Sequence, residues 1–236
     1  MTLKDAKTHL NQWVRLELTD GSVLQGELRE TKEGLEQTQT GIMMWTFESD
    51  LIYYVEFEDW PPENEAQRDL ATIKDVVRWK PIDPPEIIVN QDPPIAEWVK
   101  LDGQWVEVAF ADGSILYGEL QDTTDPSEGY ESFNFWASHA GYNDVTWIDY
   151  EHCHPKHVCH IRPIPSIPLE EWGHLKGKIV TLFWEDRYRQ KNNKDFYTRT
   201  QVLDFIPKSD PLLVILEHGK PHKVHASQIE KLIQYP

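Results

Sequence analysis

The chain repeats itself, and that constrains its fold more than any other property. Residues 12–28 read QWVRLELTDGSVLQGEL, residues 104–120 read QWVEVAFADGSILYGEL, and ten of the 17 positions are identical. A second echo links EWVKLDG at 97–103 to EWGHLKG at 171–177. A third closes each copy with a short apolar strand after a polar turn, at 73–78, 158–162 and 229–233. Self-similarity at this spacing means that one supersecondary unit recurs along the chain. We read three copies, at 1–82, 95–165 and 166–236. Each is long enough for a single small core. Proline-rich joints separate them: residues 83–94 between the first two, and RPIPSIP at 162–168 before the third. Proline fixes φ and extends the chain, so these joints read as semi-rigid spacers.

Each copy reads as strands. Residues 13–18 alternate apolar and polar, Asp20-Gly21 turns the chain, and residues 23–28 continue, which is a hairpin pattern. Gly26 and Gly118 fall inside the second strand, where a missing side chain permits a bend. Further hairpins are predicted at 42–47 with 51–57, at 133–137 with 145–150, and at 212–216 with 222–226. The closing strand makes five per copy. The second and third copies open on Pro-x-x-Glu-Trp, at 94–98 and 168–172, which suits one helical turn with proline at its start. Thr2-Leu3-Lys4-Asp5 resembles a capping box and predicts a similar turn in the first copy.

The run Leu18-x-Asp20-Gly21-x-x-x-x-Gly26-x-Leu28 resembles the first motif of Sm-like proteins, and more broadly of SH3-like small barrels. Asp112-Gly113, Gly118 and Leu120 repeat it, whereas the third copy keeps only Asp186. The resemblance implies a mainly β chain of three tandem five-stranded SH3-like/Sm-like small barrels, each with a short N-terminal helical turn. RNA recognition in that family uses an Asp-x-x-Asn-type loop and an Arg-Gly loop. This chain has neither the Asn in the matching loops nor any Arg-Gly pair, so the resemblance carries the fold and not the ligand.

Charge separates the copies. Residues 1–82 hold 9 Lys+Arg against 16 Asp+Glu, residues 83–165 hold 3 against 15, and residues 166–236 hold 11 against 9. A whole-chain charge of −17 opposes generic phosphate binding. In the middle copy Asp122, Asp125, Glu128, Glu131 and Asp144 are interleaved with Tyr130, Trp136 and Tyr142. An acidic face with aromatic anchors suits docking onto a basic protein, with charge steering the encounter and the rings supplying buried area. Basic protein surfaces are commonly nucleic-acid channels. The expected activity is therefore non-enzymatic: an inhibitor of the counter-defence or immunity type that mimics nucleic acid and occludes a nucleic-acid-binding enzyme. The rival reading uses the basic, aromatic run of the third copy, with Arg187, Tyr188, Arg189, Lys191, Lys194 and Arg199. Such a run stacks on and neutralises a nucleic-acid strand, or meets the acidic copy of a second chain in head-to-tail self-association. A third reading places a ligand or enzyme site between barrels.

His152, Cys153, His154, His157, Cys159 and His160 crowd into one stretch. Thiolate and imidazole are zinc ligands, but no Cys-x-x-Cys occurs, and alternation along a strand sends neighbours to opposite faces. Buried cysteine with exposed histidine is the favoured reading, and no cofactor is expected. The sequence has no Gly-x-Ser-x-Gly, phosphate loop, Gly-x-Gly-x-x-Gly or His-Glu-x-x-His. The N-terminus has no secretory h-region and no apolar run approaches 18 residues, so a cytoplasmic protein without a membrane span is expected.

Overall fold

A computed structural model describes residues 8–18, 21–31, 41–45, 52–53, 76–125, 127, 131–137, 145–148, 153–192, 194, 197–217 and 219–234. The first copy supplies β1 (Trp13–Leu18), β2 (Val23–Thr31), β3 (Gly41–Trp45), β4 (Ile52–Tyr53) and β5 (Val76–Pro81). The second supplies β6 (Gln104–Phe110), β7 (Ile115–Asp122), β8 (Phe133–Ala137), β9 (Val145–Ile148) and β10 (Val158–Pro163). The third supplies β11 (Ile179–Trp184), β12 (Tyr197–Ile206), β13 (Leu212–Glu217), β14 (Lys220–His225) and β15 (Ile229–Ile233). In each copy the first strand pairs with the second and fifth, the second with the third, and the third with the fourth, all antiparallel. The fold is mainly β, as expected.

Small details recur in register, which places the degenerate third copy in the same series. Just before the first strand, Asn11, Gly103 and Gly177 each take positive φ, at 61°, 67° and 81°. Each donates its backbone N–H to the second strand, to the carbonyls of Leu28, Leu120 and Val202 at 2.7, 2.8 and 2.7 Å. Positive φ favours glycine, with asparagine the best-tolerated substitute. The fifth strand bulges at one place in every copy. Val77, Cys159 and Glu230 drop out of register against the first strand, and all three are exposed. The expected helical turns form at Ile95–Trp98 and Leu169–Leu175. They insert Trp98 against Phe133, ring centroids 5.7 Å apart, and Trp172 against Phe205, 6.5 Å apart. The capping box at 2–5 lies outside the described residues.

Among the described residues fifteen strands make two sheets, not three. The ten strands of the first two copies join in the order β10-β6-β7-β2-β1-β5, with β3 and β4 hanging from β2 and β8 and β9 from β7. The third copy forms its own sheet, β14-β13-β12-β11-β15. Two compact units correspond to these, residues 1–163 and 164–236. The joint within the first is the antiparallel bridge Val23↔Ile115. These two residues occupy the same position of the repeat, since 12 aligns with 104 and 23 with 115. Self-pairing of one position marks a two-fold relation. The first two copies thus resemble a homodimer fused into one chain. Their turns match as well. Leu18 and Phe110 donate to the carbonyls of Ser22 and Ser114, and Gly21 and Gly113 donate back to Leu18 and Phe110.

Buried side chains from both copies, including Leu16, Leu24, Leu28, Val108, Leu116, Leu120, Phe133 and Phe135, form one cluster. Val180, Leu182, Trp184, Val202, Leu213, Ile215 and Val224 form the core of the other unit. The proline-rich residues 83–94 do not hang free. Ile88 donates to the Ala111 carbonyl at 3.3 Å and Asn90 to the Lys156 carbonyl at 2.7 Å, so this segment lies on the second copy.

Candidate functional site

The acidic face begins where β7 ends. The Asp122 backbone N–H donates to Asp102 Oδ1 at 2.8 Å, and Asp122 Oδ1 accepts from the Thr124 N–H at 3.0 Å. Asp125 Oδ1 accepts from the Ser127 N–H at 2.8 Å. Hydrogen bonds from Ser127, its hydroxyl first and then its backbone, hold the Asp125 carboxyl below the usual carboxylate range. These are short polar side chains bonding backbone two residues on, which shapes the loop and leaves the charge in water. Asp102 and Asp125 are exposed, and Asp122 and Glu131 are half-buried. Glu128, Tyr130, Tyr142 and Asp144 lie outside the described residues.

Strand alternation sorts the aromatics. Phe133 and Phe135 point inward and are fully buried. Trp136 sits half-buried on the opposite face of β8, cross-strand from Glu119. Glu119 accepts from Gln121 Nε2 at 3.1 Å on the same outer face of β7. On this face Trp136 is half-buried among Glu119, Gln121 and Asn134, while Trp105, cross-strand from Glu119 on β6, and Tyr117, on the same side of β7, are buried. Glu119 and Asp102 belong to this face and went unnoticed in the sequence, where nothing distinguishes an outward strand carboxylate from any other.

The basic run folds differently from a hairpin extension. Residues 186–192 form a helix, Asp186–Asn192, and β12 starts at Tyr197. Arg187 and Lys191 are exposed. Arg189 pairs with Asp186 at 3.0 Å, and Lys194 pairs with Glu217. Lys194 Nζ also lies 5.3 Å from the Trp184 ring centroid, and Trp184 stacks on Tyr188 at 5.4 Å. Arg199 is half-buried on β12 opposite Thr181. The six residues thus divide: Arg187 and Lys191 are exposed, Arg199 is half-buried on β12, and Tyr188, Arg189 and Lys194 hold the local structure together.

The histidine and cysteine stretch is dispersed by its turn. Cys153 and His157 are buried and Cys159 is exposed. The favoured reading of buried cysteine with exposed histidine therefore holds for Cys153 but is reversed at Cys159 and His157, because the strand bulge turns Cys159 outward. His154 accepts from the Lys156 N–H through Nδ1 at 3.1 Å, and His160 contacts Glu107 at 2.9 Å. His152 lies outside the described residues. Among the described residues no three His, Cys, Asp or Glu side chains converge as metal ligands. Burial first, then the Lys156 charge, then His154, push the His157 pKa down to about 4.

Two further places invite chemistry. Ser227 Oγ lies 3.1 Å from Asp210 Oδ2, and His225 Nδ1 lies 2.8 Å from the same oxygen. The hydroxyl donates to the carboxylate and not to the imidazole, so the serine–histidine contact of a nucleophilic triad is not made. An open groove of about 550 Å³ is lined by Asn11, Gln12, Trp13, Pro81, Ile82, Asp83 and Pro84. It holds one carboxylate and no nucleophile. Among the described residues no helix is long and apolar enough to cross a membrane. No protein-family model and no curated protein matches the chain.

Proposed function

We propose that the protein is a non-enzymatic interaction module. Its second copy docks an acidic outer face onto a basic protein, and the partner's own ligand is nucleic acid. In this reading each five-strand set is a small SH3-like/Sm-like barrel, and the protein inhibits by occupying the partner's nucleic-acid channel. One observation carries the reading. Asp102, Asp122 and Asp125 are fixed by backbone hydrogen bonds at the end of the copy that, with its preceding joint, has 3 cations against 15 carboxylates. Carboxylates held at set spacings present a patterned charge, as a phosphate backbone does, without an ordering cost on binding. Trp136 beside Glu119 is the aromatic that would enter the interface. Direct nucleic-acid binding by the third copy has less to work with, because Arg189 and Lys194 are neutralised by Asp186 and Glu217.

The test is affinity capture from the native host at low and moderate salt, comparing the wild type with an Asp102→Lys/Asp122→Lys/Asp125→Lys variant. A basic protein retained by the wild type, lost with the variant and released by added duplex DNA is expected. Identical captured proteins for both chains, or retention indifferent to DNA, would reject the reading.

A further inference from the structure

In the first two copies the opening residues of strand two are a self-pairing edge. β1 covers one side of Val23, β3 reaches β2 only from Glu27 onward, and the open side of Val23 meets Ile115. Register places Tyr197 in the same position of the third copy. Glu17 pairs with Val23, Ala109 with Ile115, and Phe183 with Tyr197, and the three first-strand residues align through the recurrent bulge. An antiparallel strand edge with unmet N–H and C=O groups pairs with whatever strand reaches it.

Two differences separate the third copy from the others at this place. Between its first and second strands lie residues 185–196, where the second copy has only residues 111–114. The bend glycine is also replaced: Val14 pairs with Gly26, Val106 with Gly118, but Val180 with Thr200. The longer connection covers the edge. The Thr200 hydroxyl donates to the Leu216 carbonyl at 2.7 Å and fastens β13 to β12, at the register where β8 meets Gly118 in the second copy. Lys194, from the longer connection, touches Trp184 on β11 and Glu217 on β13. Because β12 lies between those strands, this side chain spans the start of β12. Tyr188 on Trp184 and the Lys194 N–H on the Arg189 carbonyl at 3.1 Å anchor the span at its other end.

We propose that the helix Asp186–Asn192 and Lys194 form a latch over a latent self-pairing edge, and that the edge's partner is β12 of a second copy of this chain. The argument for that occupant is internal. The same strand position already pairs with its own equivalent within this molecule, in a geometry that closes on itself and stops at two. The latch keeps the third copy out of that pairing. Opening it converts the chain to an isologous dimer in which residue 197 faces residue 197 of the partner.

The test replaces residues 185–196 with Ala-Asp-Gly-Ser, the sequence of 111–114, adds Thr200→Gly, and measures molar mass by light scattering. A concentration-dependent twofold rise over the wild type is expected. Adding Tyr197→Asp or Tyr197→Lys alone sets like charges face to face and abolishes the rise, while mixing the two variants restores it. A folded replacement chain that stays at the wild-type mass overturns the proposal. If that chain does not fold, amide hydrogen exchange on the full-length Lys194→Ala/Thr200→Gly variant decides. Exchange at residues 197–201 should speed at least tenfold while the amides of β15 keep their wild-type rates; unchanged exchange at 197–201 overturns it.

Discussion

Acid should destabilise the first unit through His157. The residue is 7% exposed, at the Pro155–His157 turn, and its own carbonyl accepts the Ala111 N–H at 2.7 Å. Burial, with Lys156 and His154 adding positive charge, lowers its pKa to about 4, against an ordinary value of 6.5. A depressed pKa on a base means that the folded state resists the proton. Above pH 6.5 the ring is neutral whether folded or not, and it adds no pH dependence. Below pH 6.5 the unfolded chain takes up a proton that the folded chain refuses, and stability falls. The slope is at most about 1.4 kcal/mol per pH unit, and the loss levels off near pH 4, where both states are protonated. The full window sets a ceiling of about 3 kcal/mol, and solvent close to this rim position reduces the expected loss to about 2 kcal/mol. Urea midpoints between pH 7.5 and pH 4 would be compared for wild type and His157→Gln. The carboxylates give both proteins a common pH dependence, so the difference between the curves isolates this ring. The gap, whatever its size at pH 7.5, should narrow by about 2 kcal/mol by pH 4. Parallel curves would refute the argument.

Gly113 and the cysteines give sharper local tests. Gly113 has φ of 83°, and a Cβ there would lie 2.6 Å from Gln25 Nε2, which donates to the Gly113 carbonyl at 3.1 Å. Gly113→Ala should cost about 2 kcal/mol, from left-handed strain plus the disturbed bond, and lower the melting temperature of the first unit. The cost should shrink in a Gln25→Ala background, and full additivity would count against the contact. For the thiols, burial and then Asp112 raise the Cys159 pKa, but its bulge position leaves it accessible, whereas Cys153 is buried. A thiol reagent should therefore label one cysteine slowly in the native chain and two in urea, with Cys159→Ser removing the native reaction. Two fast native labels would contradict the burial of Cys153.

Much of this architecture was legible in the residues. Repetition of QWV, DGS and GEL located strands one and two of the first two copies, and β8 and β15 fall at 133–137 and 229–233, as predicted. Local pattern suffices there, because strand alternation, Asp-Gly turns and buried tryptophans act over a few residues. The inward phenylalanines of β8 were legible in the same way, since that strand alternates, whereas three successive residues of β7, Leu116, Tyr117 and Gly118, are buried and the outward Glu119 was not legible. The helix Asp186–Asn192 was not legible. It has no apolar stripe of its own; Tyr188 holds it on Trp184, and the following Lys194 reaches Glu217, 23 residues further along the chain. His157 likewise reads as polar, yet the bulge that exposes Cys159 accompanies its burial.

What the sequence alone determined is the repeat: three copies of one strand pattern, unequal in charge, with cations scarcest in the middle copy. Only the tertiary structure decided how many bodies those copies make. Whether two strand edges join depends on which backbone N–H and C=O groups remain open once each hairpin has closed. At Val23 and Ile115 a four-residue turn leaves them open, and the copies fuse. At Tyr197 a longer connection covers the edge, and the third copy keeps a sheet of its own.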